Sequence, residues 1–285
     1  SRGADGGKIN LPAFPPASRL SCPRLISMSR ERRFKRPDVS MDPATLPVVA
    51  SLAAILFISA YLQAATGFGL ALVAMALVPL VLPIGEAIVY VSAASFVVNF
   101  FVIFVNRSGF SWRKAVPLSV GMCLGIPIGY FSLRAFDDEW IIRLLGIVLM
   151  GIALSEFLQT RFSRLPVPGH SGSLFGFVGG ILAGAFNVGG PPVVVFAYSM
   201  KWSKVETVAI LQTVFICGGI VRNGIMFREG ELHPELLLLV ACSLPTAALA
   251  VWLGKLTLDR LPQASLKALA FALIFVIGLR YTVFG

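Results

Sequence analysis

The sequence predicts an all-α polytopic membrane protein made of two inverted repeats of about five segments each, with Gly-rich broken or re-entrant helices. Three observations carry this expectation: the composition, ten closely spaced apolar segments, and a self-similarity between the halves that includes two glycine-rich interruptions. Of the 285 residues, 56% are hydrophobic and only 13% are charged. A soluble domain carries about 25% charged residues. The surface of a soluble fold must still face water, so a chain this apolar fits lipid better.

The apolar segments span 46–65, 67–82, 86–105, 115–133 and 140–158, then 172–186, 189–200, 205–226, 236–254 and 262–283. Several approach the roughly 20 residues that a spanning helix needs. Three of them, 67–82, 172–186 and 189–200, are shorter and flank two breaks, TGFG at 66–69 and NVGGPP at 187–192. Short segments around a Gly/Pro break read as discontinuous helices or re-entrant hairpins. A constant offset of 121 residues places Gly190 on Gly69, Val194 on Val73, Arg228 on Arg107, Leu239 on Leu118 and Asp259 on Asp138. The breaks, charged loops and apolar blocks share this register, which predicts a duplication over roughly 51–158 and 172–279. The membrane repeats are accordingly read as 41–165 and 166–285. An odd number of segments in each half turns the second over relative to the first.

Residues 1–40 are rich in Arg, Pro and Ser and lack an apolar run, so they are not a secretory signal. They read as a disordered extension, an added stretch or an overlong start, with Met41 suited to begin the protein. They hold nine of the 24 Lys and Arg behind the net charge of +10, and the others sit mostly at the ends of apolar segments. No basic stripe interleaved with aromatics points to nucleic acid. Basic residues in or beside the loops after odd-numbered segments, such as Arg113, Lys114, Lys201, Lys204 and Lys255, outnumber those on the other side. The positive-inside rule then places the odd loops in the cytoplasm and both termini outside it, in a multi-pass protein of the cell inner membrane.

The breaks are the candidate site. A helix that starts after a glycine turn presents unpaired N–H groups and the positive end of its dipole, which together suit an anion. In the second break, Gly189 and Gly190 permit close approach, Pro191 suits a first helical turn, and Asn187 can donate from its amide. In the first break, Thr66, Gly67 and Gly69 take the matching places. Gln63 precedes them, and Gln212 lies near the middle of its segment beside Thr213. A buried amide needs partners, which other helices or a substrate can supply. The expected substrate-binding set is therefore Gln63, Thr66, Gly67, Gly69, Asn187, Gly189, Gly190, Pro191 and Gln212. Asn99 is a lesser candidate. Arg222 reads as a side chain snorkelling to the outer interface. Glu86 and Glu206 sit near helix starts, where dipole stabilisation accounts for them, with a proton relay as the alternative.

Enzyme chemistry lacks its signatures. His170 and His233 lie in loops, and the cysteines show no CxxC spacing, so no zinc site is implied. GxSxG and P-loop patterns are absent, and no cofactor is expected.

The run GFVGGILAGAFNVGGPPVVVFAY at 176–198 resembles the second-half signature of the TauE/SafE sulfite exporter family, and LQAATGFGLALVAMALVPLVLP at 62–83 resembles its first-half counterpart. The likeness covers about 46–284. Thr66-Gly67-Phe68-Gly69 and Gly189-Gly190-Pro191 stand where three successive glycines are expected. The resemblance implies a secondary transporter, usually an exporter, of small sulfur-containing anions such as sulfite or organosulfonates. It also implies the proton as candidate coupling ion. The competing expectation is a membrane assembly or interaction subunit that transports nothing. The partners expected are a small anionic substrate and the lipid bilayer. Oligomeric state has no signal in the sequence.

Overall fold

A computed structural model describes residues 46–105, 110–162, 168–200, 202–257 and 263–284. The N-terminal extension and the loop residues Arg107, Arg164, Lys201 and Arg260 lie outside the described residues. Ten α-helices are found among the described residues. They are α1 (Leu46–Thr66), α2 (Leu70–Leu77), α3 (Ile84–Val105), α4 (Trp112–Ser132), α5 (Asp138–Phe162), α6 (Gly172–Phe186), α7 (Gly190–Ser199), α8 (Lys204–Arg228), α9 (Pro234–Thr257) and α10 (Gln263–Phe284). Each falls on one of the ten apolar segments. No strand occurs among the described residues.

Helix is the form that lets a backbone satisfy its own N–H and C=O groups inside lipid. This holds even for α6, which carries five glycines in fifteen residues, and for α4 and α9, which contain Pro117, Pro127 and Pro245. Among the described residues, five helices are long and apolar enough to cross a membrane: α1, α3, α4, α8 and α9. Large apolar side chains such as Phe104, Leu124 and Phe227 point outward on these helices. A surface of that kind suits hydrocarbon, not water. The protein is a multi-pass helical membrane protein.

The two breaks share one pattern, although Gly69 (φ 111°) and Gly189 (φ −78°) differ in backbone conformation. In each, a helix ends, a left-handed residue follows, two more residues turn the chain, and a short helix begins. The left-handed residues are Gly67 (φ 85°) and Asn187 (φ 59°), and the new helices start at Leu70 and Gly190. The breaks are therefore 120 residues apart, not 121, and Gly69 corresponds to Gly189. Apolar sequence tolerates a slip of one, whereas the position of the left-handed residue does not. The same spacing relates Ile84 to Lys204 at the starts of α3 and α8, after which the greater lengths of α8 and α9 widen it.

Helix pairing exchanges the halves. α4 packs on α6, and α9 packs on α1; α4 packs on α8, and α9 on α3. The pairs α3–α8 and α5–α10 join helices that occupy equal places in the two halves. Directions can be read from residue contacts. Along α3, Ser92 meets Asn223 and Phe96 meets Gly219, so α8 runs the opposite way. Gly146 of α5 meets Gly278 and Thr282 of α10, while Met150 meets Gly278, so this pair also runs oppositely. The halves interlock rather than forming separate bodies, and all the described residues fall within one unit.

Small residues set the closest approach. Gly121, Gly125 and Gly129 on α4 face Gly176, Gly180 and Gly184 on α6, each against backbone of the other helix. This four-residue spacing lets membrane helices pack backbone to backbone. Ion pairs cap the α4–α8 pair at both ends: Lys114 with Glu206, and Arg134 with Glu229 and Glu231.

Candidate anion site

Break geometry builds the site from two sides. At the first break, Gly67 N–H donates to Gln63 O (2.7 Å), and Gly67 and Gly69 hold positive φ angles that residues with a Cβ rarely adopt. Val73 N–H donates to Gly69 O (2.9 Å), which starts α2 and leaves the N–H groups of Leu70, Ala71 and Leu72 in its first turn. At the second break, Asn187 N–H donates to Ala183 O (2.9 Å), and its side-chain amide donates to Ser95 Oγ (2.9 Å). Asn tolerates the left-handed region because its short polar side chain can bond locally. Here that side chain instead ties the break to α3. Pro191 and Pro192 follow Gly190 and carry no N–H. The backbone donors left at this helix start are those of Gly189 and Gly190.

Both breaks open onto one cavity of about 60 Å³, counted as space for the centres of water-sized spheres. One water needs roughly 10–15 Å³ on that measure. The cavity thus has room for a few waters or for one small oxyanion. Its polar wall includes Gln63, Ser92, Ser95, Asn99, Asn187 and Arg222. Phe68, Phe96, Phe215 and Met122 form the apolar part. No carboxylate or imidazole among the described residues lines it.

Six of the nine expected site residues line this cavity: Gln63, Gly69, Asn187, Gly189, Gly190 and Pro191. Gln212 and Gly67 stand behind it. Gln63 Nε2 donates to Asn99 Oδ1 (2.7 Å) and to Gln212 Oε1 (3.0 Å), while Gln212 Nε2 donates to Gly67 O (2.9 Å). Buried amides that satisfy one another in this way hold the first break against α3 and α8. The Thr66 side chain lies outside the described residues. Glu86 is half-buried at the start of α3, outside the cavity, and Glu206 pairs with Lys114.

Arg222 corrects the snorkelling expectation. It is 1% exposed, the largest fully buried side chain among the described residues, and it lines the cavity. Its Nη1 donates to Gly184 O of α6 (2.8 Å). Position near the end of α8 suggested a route to the interface, but the side chain instead reaches α6 and is enclosed beside the cavity. The missed signal was an ionisable residue inside an apolar span, which marks a functional position by default. Ser92 and Ser95 were also missed, because serine in an apolar helix commonly bonds its own backbone.

Two broken helix pairs that enclose a polar cavity in a multi-pass helical protein form an arrangement known from membrane transporters. The chain belongs to the Sulfite exporter TauE/SafE family, whose model matches residues 52–281. That family is one of membrane exporters and not of enzymes. A curated protein of Cupriavidus necator, described as "Probable sulfite/organosulfonate exporter TauE", is 25% identical over 239 residues, covering 82% of this chain and 93% of that protein. No solved structure matches the chain.

Proposed function

We propose that the protein is a secondary exporter of small sulfur-containing anions such as sulfite or organosulfonates, bound at the helix starts of the two breaks. The observation that carries this reading is the single cavity on which both breaks converge. The family and the Cupriavidus necator relative support the substrate class. A sulfite or sulfonate head is an oxyanion, which backbone N–H groups at a helix start can hold.

The transporting unit is two inverted repeats, 41–165 and 166–285, in the cell inner membrane, with both termini outside the cytoplasm. The opposite directions of α3 and α8, and of α5 and α10, support the inversion. Inverted repeats around a central site suit alternating access.

The test is counterflow of labelled sulfite and alkylsulfonates in proteoliposomes under a pH gradient. Saturable counterflow is expected for at least one of these anions, and its absence for all of them overturns the proposal. Gly190→Leu projects a side chain toward Phe215 and Phe68 and fills the cavity. It should abolish counterflow while leaving a monodisperse protein. Unchanged counterflow removes this break from the site.

A further inference from the structure

The Arg222 guanidinium is buried with part of its donor capacity unused. Nη1 is held by Gly184 O, but Nε and Nη2 have no hydrogen-bond partner. These two nitrogens share one edge of the planar group, and that edge is the fork which grips two oxygens of an anion at once. No ion pair among the described residues reaches Arg222, since the carboxylates in such pairs bind Lys114, Arg134 and Arg143. A buried charge and two unmet donors are costly to leave unpaired. The cavity beside them is large enough for an oxyanion, and both breaks face it.

The second break makes the need sharper. Pro191 and Pro192 withhold two of the four donors that a helix start normally offers. The repeat does not supply a second cation either, because the 120-residue spacing sets Val102 against Arg222.

We infer that Arg222 is the charged anion-binding residue of this cavity, its Nε–Nη2 edge gripping two oxygens of a sulfonate- or sulfite-type head. The inference rests on the anion-export reading and names the side chain that recognises the anion. Phe68, Phe96 and Phe215 on the cavity wall fit a short carbon stem on that head. The Gly184 tether fixes the fork, since it occupies the third nitrogen and links α8 to the helix that leads into the second break. Lysine keeps the charge but loses the two-point grip.

The test is binding to the full-length protein in detergent, read by calorimetry and thermal shift, at constant ionic strength in chloride. The probes are methanesulfonate, sulfite and dimethyl sulfone, the last being similar in shape to methanesulfonate but uncharged. Wild type should bind the two anions and not the sulfone. Arg222→Gln should weaken methanesulfonate binding roughly tenfold to a hundredfold, with Arg222→Lys falling between. Full-strength anion binding by Arg222→Gln overturns the assignment of Arg222 and leaves the export reading standing. Absence of any binding, together with absence of counterflow, overturns both. Should Arg222→Gln not yield monodisperse protein, the sulfone comparison and Arg222→Lys decide. Equal binding of sulfone and methanesulfonate by wild type, or undiminished methanesulfonate binding by Arg222→Lys, overturns the fork.

Discussion

Neighbouring glycines at the second break meet different surroundings. A Cβ on Gly189 would overlap Gly179 O and come within 2.6 Å of Ala183 Cβ, so glycine at this position of the cavity wall also permits close packing against α6. On Gly190 the nearest atoms would be Phe215 Cζ at 3.8 Å and Phe68 Cδ2 at 4.0 Å, an ordinary contact distance at the edge of the cavity. Gly189→Ala should therefore lower stability by about 1–3 kcal/mol through overpacking. Gly190→Ala should stay within about 0.5 kcal/mol of wild type. Melting temperatures of the two variants in detergent check this, and equal values contradict the division. The breaks were legible in the sequence because glycine and proline punctuate an apolar run. Which of these cavity-lining glycines also packs against a neighbouring helix was not, since that depends on what lies across from each. Arg222 was misread for the same reason. Its distance from the helix end is visible in the sequence, whereas the helices that enclose it are not.

Between elements, packing is dominated by backbone approach. α4 and α6 lie so close that a Cβ on Gly125 or Gly180 would overlap a carbonyl of the facing helix. Lipid exerts no hydrophobic force between helices, so such close packing is a main source of association. Gly125→Leu should prevent recovery of monodisperse protein. Gly151→Leu should not, because Gly151 on α5 is exposed with nothing within 4 Å. Size-exclusion profiles of the two variants test the contrast, and similar profiles contradict it. The ten segments could be placed from hydropathy alone, and their bounds agree with the helices to within a few residues. The pairing could not, because the glycines of α4 and α6 repeat at four-residue spacing without naming their partner. At the breaks the offset is 120 rather than 121, because matching apolar letters is weaker than matching the left-handed residues Gly67 and Asn187.

The whole molecule has a polar centre shared by both halves. α4 and α8 run the same way, since their starts are joined by Lys114–Glu206 and their ends by Arg134 with Glu229 and Glu231. The loops before these helices therefore share one face of the membrane, and the loops after them share the other. On the proposed orientation the first face is cytoplasmic. In a background without native cysteines, Phe110→Cys and Ser203→Cys should be protected in intact cells from a thiol reagent that cannot cross the membrane. Phe136→Cys and His233→Cys should react. Reversed labelling would invert the orientation, and labelling of only one member of either pair would contradict the shared faces.

The central claim is that a small oxyanion sits between the two breaks, against the free edge of Arg222. Selenite has the trigonal shape of sulfite and carries an anomalous scatterer, so crystals grown with it would locate the anion directly. One dominant anomalous peak is expected in the cavity, with its oxygens within hydrogen-bond reach of Arg222 Nε and Nη2 and facing Gly190. Well-ordered crystals with an empty cavity, or a dominant peak elsewhere on the protein, would contradict it.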